Sequence, residues 1–145
     1  MNSTENRSAK AERRLHGQYW NAEPDGSVTL NARQCTSCGA AYLPSIVTCI
    51  SCRGNEFRAL SLTATGELYS YTIVRGNGGV WPDLYAIGYV DFPREKVRVC
   101  GHLAETDPAR IKIGMKVKCE EAVLYMDASG VDVTCYRFRG IEDIR

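Results

Sequence analysis

Four of the chain's seven cysteines fall into two Cys-x-x-Cys pairs, Cys35–Cys38 and Cys49–Cys52, with ten residues between the pairs. A Cys-x-x-Cys turn aims two sulfurs at one centre about 2.3 Å away, and two such turns complete a tetrahedral thiolate cage for zinc. Four thiolates leave no open coordination position, so an ion held there is structural, one per chain. Iron suits a four-thiolate site as well as zinc. The alternatives are four buried cysteines without metal, or two disulfides. Gly39 directly follows the first pair, which suits a knuckle turn needing positive φ.

The other residues able to do chemistry are sparse. The chain has two histidines, His16 and His102. His16 lies in a polar N-terminal stretch and is read as solvated. His102 shares a strand face with Cys100, two residues away, which separates their side chains by about 7 Å. That is too far for a direct hydrogen bond, so an ordinary sheet face is expected rather than a nucleophile with its base. Cys119 and Cys135 alternate with strand residues and are read as small core hydrophobes. Gly76-Asn-Gly78-Gly79 lacks the strand-to-helix setting of a phosphate loop. No Ser-His-Asp or paired-carboxylate pattern stands out, so this chain is expected not to be catalytic alone.

With 145 residues there is room for one ordinary domain or two very small ones. A ribbon of some 25 residues cannot bury its own core, so metal binding supplies its folding energy. The formal net charge of +1 argues against the broad positive field of nucleic-acid-binding domains. No apolar run opens the sequence, so neither a signal peptide nor a membrane-spanning helix is expected. With four cysteines in metal spacing, that indicates a reducing, cytoplasmic setting.

Residues 1–8 read as disordered. Ala11, Leu15 and Tyr19 then recur every four residues, one narrow apolar stripe of a helix. So short a stripe cannot hold a helix alone in water; it must lie on this chain's own body or on a partner. Asn21 to Ser27 ends it with turn residues, and Val28 to Gln34 leads as a strand into the first knuckle. Tyr42-Leu43-Pro44 forms the far arm of the knuckle hairpin, Ile46-Val47 its return, and Phe57 to Leu62 the passage onward. The expected division is 1–27 for tail and helix, 28–62 for the zinc ribbon and 63–145 for the main domain.

From Gly66 the pattern is of strands: 66–75, 84–91, 96–104, 116–126 and 131–139. The Gly-rich segment 76–83 must be a loop, Asp107-Pro108 starts a short helical turn, and Asp127 to Gly130 makes a hairpin turn. Five antiparallel strands with a helical turn between the third and fourth match the order of an OB-fold barrel. The fold class expected is mainly β: an N-terminal helix, a four-cysteine rubredoxin-like ribbon, then a five-stranded OB-fold.

A helical N-terminus, then the four-cysteine ribbon with Tyr42-Leu43-Pro44, then Tyr69-Ser-Tyr-Thr-Ile-Val74 at the first barrel strand and Ile113-Gly114-Met115-Lys-Val117 before the fourth, resembles the DUF35 family over about residues 15–140. That resemblance implies a rubredoxin-like zinc ribbon fused to an OB-fold, acting as an accessory subunit of thiolase-superfamily enzymes that handle acyl-CoA. In such assemblies the body binds the partner and can help wall the passage of the CoA thioester. For CoA phosphates the candidate cations are Arg53, Arg58 and Arg75, each weighed against a solvated surface charge. The loop 76–82 with Trp81 at its exit is the candidate to order against a ligand or partner. Ile46 and Val47 at the hairpin tip, and Leu15 and Tyr19 on the helix stripe, are candidate partner contacts. The alternative function is single-stranded nucleic-acid binding by an OB-fold, with Tyr69, Tyr71, Tyr85, Tyr89 and Trp81 as stacking residues, against tyrosines that pack the barrel with their hydroxyls at the rim.

Overall fold

Alternation of apolar and polar residues at period two dominates the chain after Trp20, and strands follow from it. In a computed structural model, which describes residues 12–62, 65–76 and 78–141, ten strands run in order. They are β1 (Glu12–Arg14), β2 (Trp20–Ala22), β3 (Val28–Cys35), β4 (Ala41–Tyr42), β5 (Phe57–Leu62), β6 (Gly66–Arg75), β7 (Leu84–Phe92), β8 (Val97–Leu103), β9 (Lys116–Met126) and β10 (Asp132–Gly140). The expected disorder of residues 1–8, Ala11 of the expected helix and Asn77 of the glycine loop lie outside the described residues.

Five strands close a barrel in the order β10-β8-β7-β6-β9, with β9 returning to β10. All its pairings are antiparallel except β8 with β10, where Arg137 lies opposite His102 and Phe138 opposite Leu103. The 3₁₀ turn Pro108–Arg110 sits between β8 and β9, and the Asp107 carboxylate accepts from the Ala109 N–H at 3.0 Å. This is the expected strand order and helical turn of the OB barrel.

Inside the barrel, Leu68, Ala86, Val90, Val99, Val117 and Phe138 are buried. Gly88 and Gly101 face one another across β7 and β8. A Cβ at Gly101 would stand 2.6 Å from the Phe138 ring and 2.8 Å from that of Tyr136, and one at Gly88 would stand 2.6 Å from the Ser70 carbonyl oxygen. The absent side chain at Gly101 thus leaves room for two large rings, and that at Gly88 for the close approach of the β6 backbone. The Tyr136 hydroxyl reaches the Cys100 carbonyl oxygen at 2.7 Å, so its burial leaves no orphan donor.

The second sheet has β3 at its centre, with β2 and β4 on one side and β5 on the other. Val28, Leu30 and Ala32 of β3 and Leu62 of β5 join the barrel side chains in one continuous core. Ser27 bridges to Glu120 on β9, tying the two sheets together.

The expected N-terminal helix is not there: among the described residues the segment forms a strand and a 3₁₀ turn. Strand β1 pairs in parallel with Asp132–Thr134 of β10, and the Leu15 N–H extends the ladder to the Thr134 carbonyl at 2.8 Å. The physical reason is an open edge. β9 covers one side of β10 throughout, but β8 pairs only with Arg137 and Phe138 on the other side. The first half of β10 therefore offers unpaired backbone groups, and the N-terminal chain fills them. A single stripe of Leu15 and Tyr19 could not compete. Trp20, fully buried, secures the arrangement: its indole N–H donates to the Leu15 carbonyl at 2.8 Å, and the Arg14 guanidinium lies 4.0 Å over its ring.

Candidate metal centre and adjoining cavities

The two knuckles are built alike. Cys35 and Cys49 each donate their backbone N–H across the turn, to the carbonyls of Ala40 and Gly54, and each accepts from the residue four positions on, Gly39 and Arg53. Both of those residues sit in the left-handed region, Gly39 at φ 83° and Arg53 at φ 66°. Gly39 adopts it without penalty, whereas at Arg53 a side chain tolerates it.

The turns bring the four sulfurs together, all within 4.8 Å of one another, with Cys35 to Cys52 and Cys38 to Cys49 at 3.5 Å. Four thiolates around a zinc at 2.3 Å would stand about 3.8 Å apart, so the donor set fits an ion of that size. A disulfide needs sulfurs at about 2.05 Å, and all seven cysteines are free thiols. Cys35 and Cys49 are buried but Cys38 and Cys52 are exposed, which also removes the reading of four buried core cysteines.

The electrostatics make the same point. The Cys38 amide holds the Cys35 thiol below its ordinary value, and the Tyr42 hydroxyl brings Cys49 down to about 6. The amides of Ala40 and Gly54 pull on Cys38 and Cys52. The adjoining sulfurs of Cys49 and Cys35 outweigh that pull and push both up, Cys52 to about 12. Four crowded thiolates are tolerated together only around a cation.

The Tyr42 hydroxyl escaped the sequence reading. It lies 3.3 Å from the Cys49 sulfur and accepts from the Ile50 N–H at 3.2 Å. The ring stands edge-on to Phe57, centroids 6.3 Å apart. An aromatic residue four positions beyond Cys38 was visible in the sequence; which way its hydroxyl points was not.

The remaining candidate residues are scattered. Arg58 on β5 donates to the Gln34 side-chain oxygen at 2.9 Å, and Arg75 ends β6 in the other sheet, exposed, as is Arg53. Val47 is 84% exposed, and Ile50, which the sequence reading passed over, is 79% exposed on the same knuckle. Ile46 is half-buried and lines a cavity of about 410 Å³ with Tyr19 and Leu60. Leu15 and Tyr19 are half-buried, Leu15 packed on this chain's own core and Tyr19 lining that cavity. Trp81 is not held loosely at a loop exit. Its ring stacks on His102 (5.2 Å, 11° between planes) and on Tyr85 (5.4 Å), and meets Tyr125 at 4.5 Å.

Between ribbon, N-terminal turn and barrel lies a cavity of about 610 Å³, lined by Leu15, Leu43, Pro44, Trp81, Cys100 and His102 among others. Cys100 and His102 share it but make no hydrogen bond to each other. Burial raises the Cys100 thiol, while burial and the nearby Arg137 lower His102. A neutral thiol beside a neutral imidazole is the reverse of an activated thiolate pair. Burial also pushes Cys119 and Cys135 up, to about 12 and about 11. Of the outward tyrosines, Tyr69 lies under the Arg98 guanidinium, 3.4 Å from the ring centroid, and Tyr89 is 48% exposed.

A four-thiolate knuckle pair on a small sheet, joined through one core to an OB barrel, defines the class of protein. Residues 60–120 match the family described as "ChsH2, C-terminal OB-fold domain". The chain is 30% identical over 129 residues to the benzoylsuccinyl-CoA thiolase subunit BbsA of Thauera aromatica, covering 88% of each chain. It is 29% identical over 114 residues to a DUF35 domain-containing scaffold protein of Methanocaldococcus jannaschii, covering 76% of this chain and 80% of the relative. Among solved structures the Ltp2-ChsH2(DUF35) aldolase shares the fold, with a TM-score of 0.64 at 21% identity, covering 86% of this chain and 93% of that one. The chain belongs to the DUF35 family.

Proposed function

We propose that this chain is a non-catalytic accessory subunit that assembles with a thiolase-type enzyme acting on acyl-CoA. The observation that carries the reading is the similarity to a thiolase subunit, which runs through 88% of both chains. The site chemistry agrees with it. Four thiolates close the coordination sphere of a structural zinc, leaving no position for substrate. Cys100 and His102 make no hydrogen bond to each other, and burial favours the uncharged form of each.

In this reading Cys35, Cys38, Cys49 and Cys52 hold one zinc, and the ribbon presents Val47 and Ile50 to the partner as an apolar knuckle. Arg53, beside that knuckle, and Arg58 remain the proposed cations for a CoA phosphate at the interface. The subunit holds the enzyme in its active shape and completes the wall of its CoA passage. A two-subunit thiolase of aromatic or other acyl-CoA degradation is the assembly that fits best.

The test is co-purification of the tagged chain from its native host, with mass spectrometry and zinc analysis of the eluate. A thiolase-like protein at fixed ratio with one zinc per chain is expected. Single-stranded nucleic acid in its place would transfer the function to the barrel's outer face. Thiolase activity from this chain alone would return Cys100 and His102 to the centre.

A further inference from the structure

We infer that Tyr42 is a positioning residue of the metal cage, one that ties the second knuckle to the hairpin of the first. The inference rests on the reading of the four cysteines as metal ligands.

Its hydroxyl is held from two sides. The Ile50 N–H donates to the Tyr42 oxygen at 3.2 Å, which occupies one acceptor position and leaves the hydroxyl proton to turn elsewhere. The Cys49 sulfur lies 3.3 Å away, on the other contact of the same oxygen. Cys49 is 1% exposed, so little water competes for that sulfur. A thiolate bound to a metal is an acceptor, and the Tyr42 hydroxyl is the side-chain O–H that meets it among the described residues. The ring rests edge-on against Phe57 on β5, at 78° between planes.

Two consequences follow from one oxygen. The hydrogen bond to sulfur spreads the charge of Cys49 and fixes the direction of its lone pairs toward the metal, the service an outer-shell group gives a ligand. The bond from Ile50 fixes the backbone of the exposed knuckle residue next to Cys49. Tyr42 belongs to β4, which pairs with β3 at Arg33 and Gln34, immediately before Cys35. The two halves of the cage are thereby joined through a side chain as well as through the ion. The exposed Ile50 is held in place by the same lock.

The test compares wild type with Tyr42→Phe, which keeps the ring and its contact with Phe57 and removes only the hydroxyl. Zinc release to a chromophoric chelator is expected to be 10- to 100-fold faster in the variant, the usual consequence of losing an outer-shell partner. The sulfur-to-metal charge-transfer band of the Co²⁺-loaded variant is expected to shift from its wild-type position. A wild-type release rate together with a wild-type Co²⁺ spectrum in Tyr42→Phe would overturn the assignment while leaving the metal site standing. Absence of zinc from the wild-type protein itself would instead remove the metal reading. A measurement on unaltered protein guards against a variant that fails to fold. With ¹¹³Cd in the cage, the Tyr42 hydroxyl proton should show scalar coupling to the metal through the Cys49 sulfur. A hydroxyl proton seen without that coupling would sink the proposal.

Discussion

At the scale of single residues, the metal cage depends on side chains that do different work at equivalent positions. Replacing one ligand, Cys38→Ser, leaves three thiolates and no closed tetrahedron. Zinc content should fall from one per chain to near zero, and activity of the reconstituted enzyme should fall with it. A fully active complex carrying no metal would refute a structural zinc. Gly39 is a subtler case. Nothing lies within 4 Å of a Cβ built there, so any cost of Gly39→Ala comes from its φ of 83° alone. That cost is about 1 kcal/mol, readable as a lower chemical-denaturation midpoint with zinc still bound. Arg53 sits at φ 66° after the second pair, so Arg53→Gly should gain stability of the same order by the same measurement.

At the scale of elements, strand β1 and the aromatic cluster carry the predictions. Because β1 fills the open half-edge of β10 and Leu15 receives the Trp20 indole N–H, deleting residues 1–16 should lower the subunit's own melting temperature by roughly 5–10 °C. An unchanged melting temperature would mean that β1 adds nothing to the barrel. His102 links β8 to the Trp81 loop through ring stacking. Its folded pKa lies below the ordinary 6.5, through burial and then the Arg137 charge. The unfolded chain therefore binds the proton first, and stability is lost as pH falls from about 6.5 through the lower folded value. His102→Phe should flatten that stretch of the stability curve while keeping an aromatic surface against Trp81. A curve as steep as wild type would assign the acid loss to other groups. Glu120 acts further down the scale. Burial opposes its ionisation, but Arg139 and Arg137 outweigh that and hold its carboxyl below the usual range. Its contribution is lost as pH falls from the ordinary 4.5 through that lowered value.

At the scale of the whole molecule, one core joins ribbon and barrel, so a metal held by the four cysteines would be coupled to the fold without being equivalent to it. Val28, Leu30, Ala32 and Leu62 pack with barrel side chains, whereas residues 36–56 carry three of the four sulfurs and touch that core through the half-buried Ala41 and Leu43. A strong chelator should therefore melt the knuckles first, with loss of amide protection over 36–56 and retention across β6 to β10, as followed by hydrogen exchange. Simultaneous loss everywhere would show that the barrel cannot stand without the metal.

What the sequence determined by itself lay in local chemistry. The spacing of Cys35, Cys38, Cys49 and Cys52 marks a cage because a two-residue gap is all a knuckle needs. The strands from Gly66 onward are legible to within a residue or two because alternation and turn residues are local signals. The Asp107-Pro108 turn could be read for the same reason. Only the tertiary structure decided the rest. The stripe of Leu15 and Tyr19 became a strand and a turn because the short β8–β10 pairing leaves an edge open more than a hundred residues away. Trp81 looked free in a glycine-rich loop, yet Tyr85, His102 and Tyr125 from three strands converge on it. The Tyr42 hydroxyl and the exposure of Ile50 depend on how one knuckle turns against the other. Periodicity and spacing report what a segment can do alone; edges, ring clusters and hydroxyl directions are set by partners that only folding brings within reach.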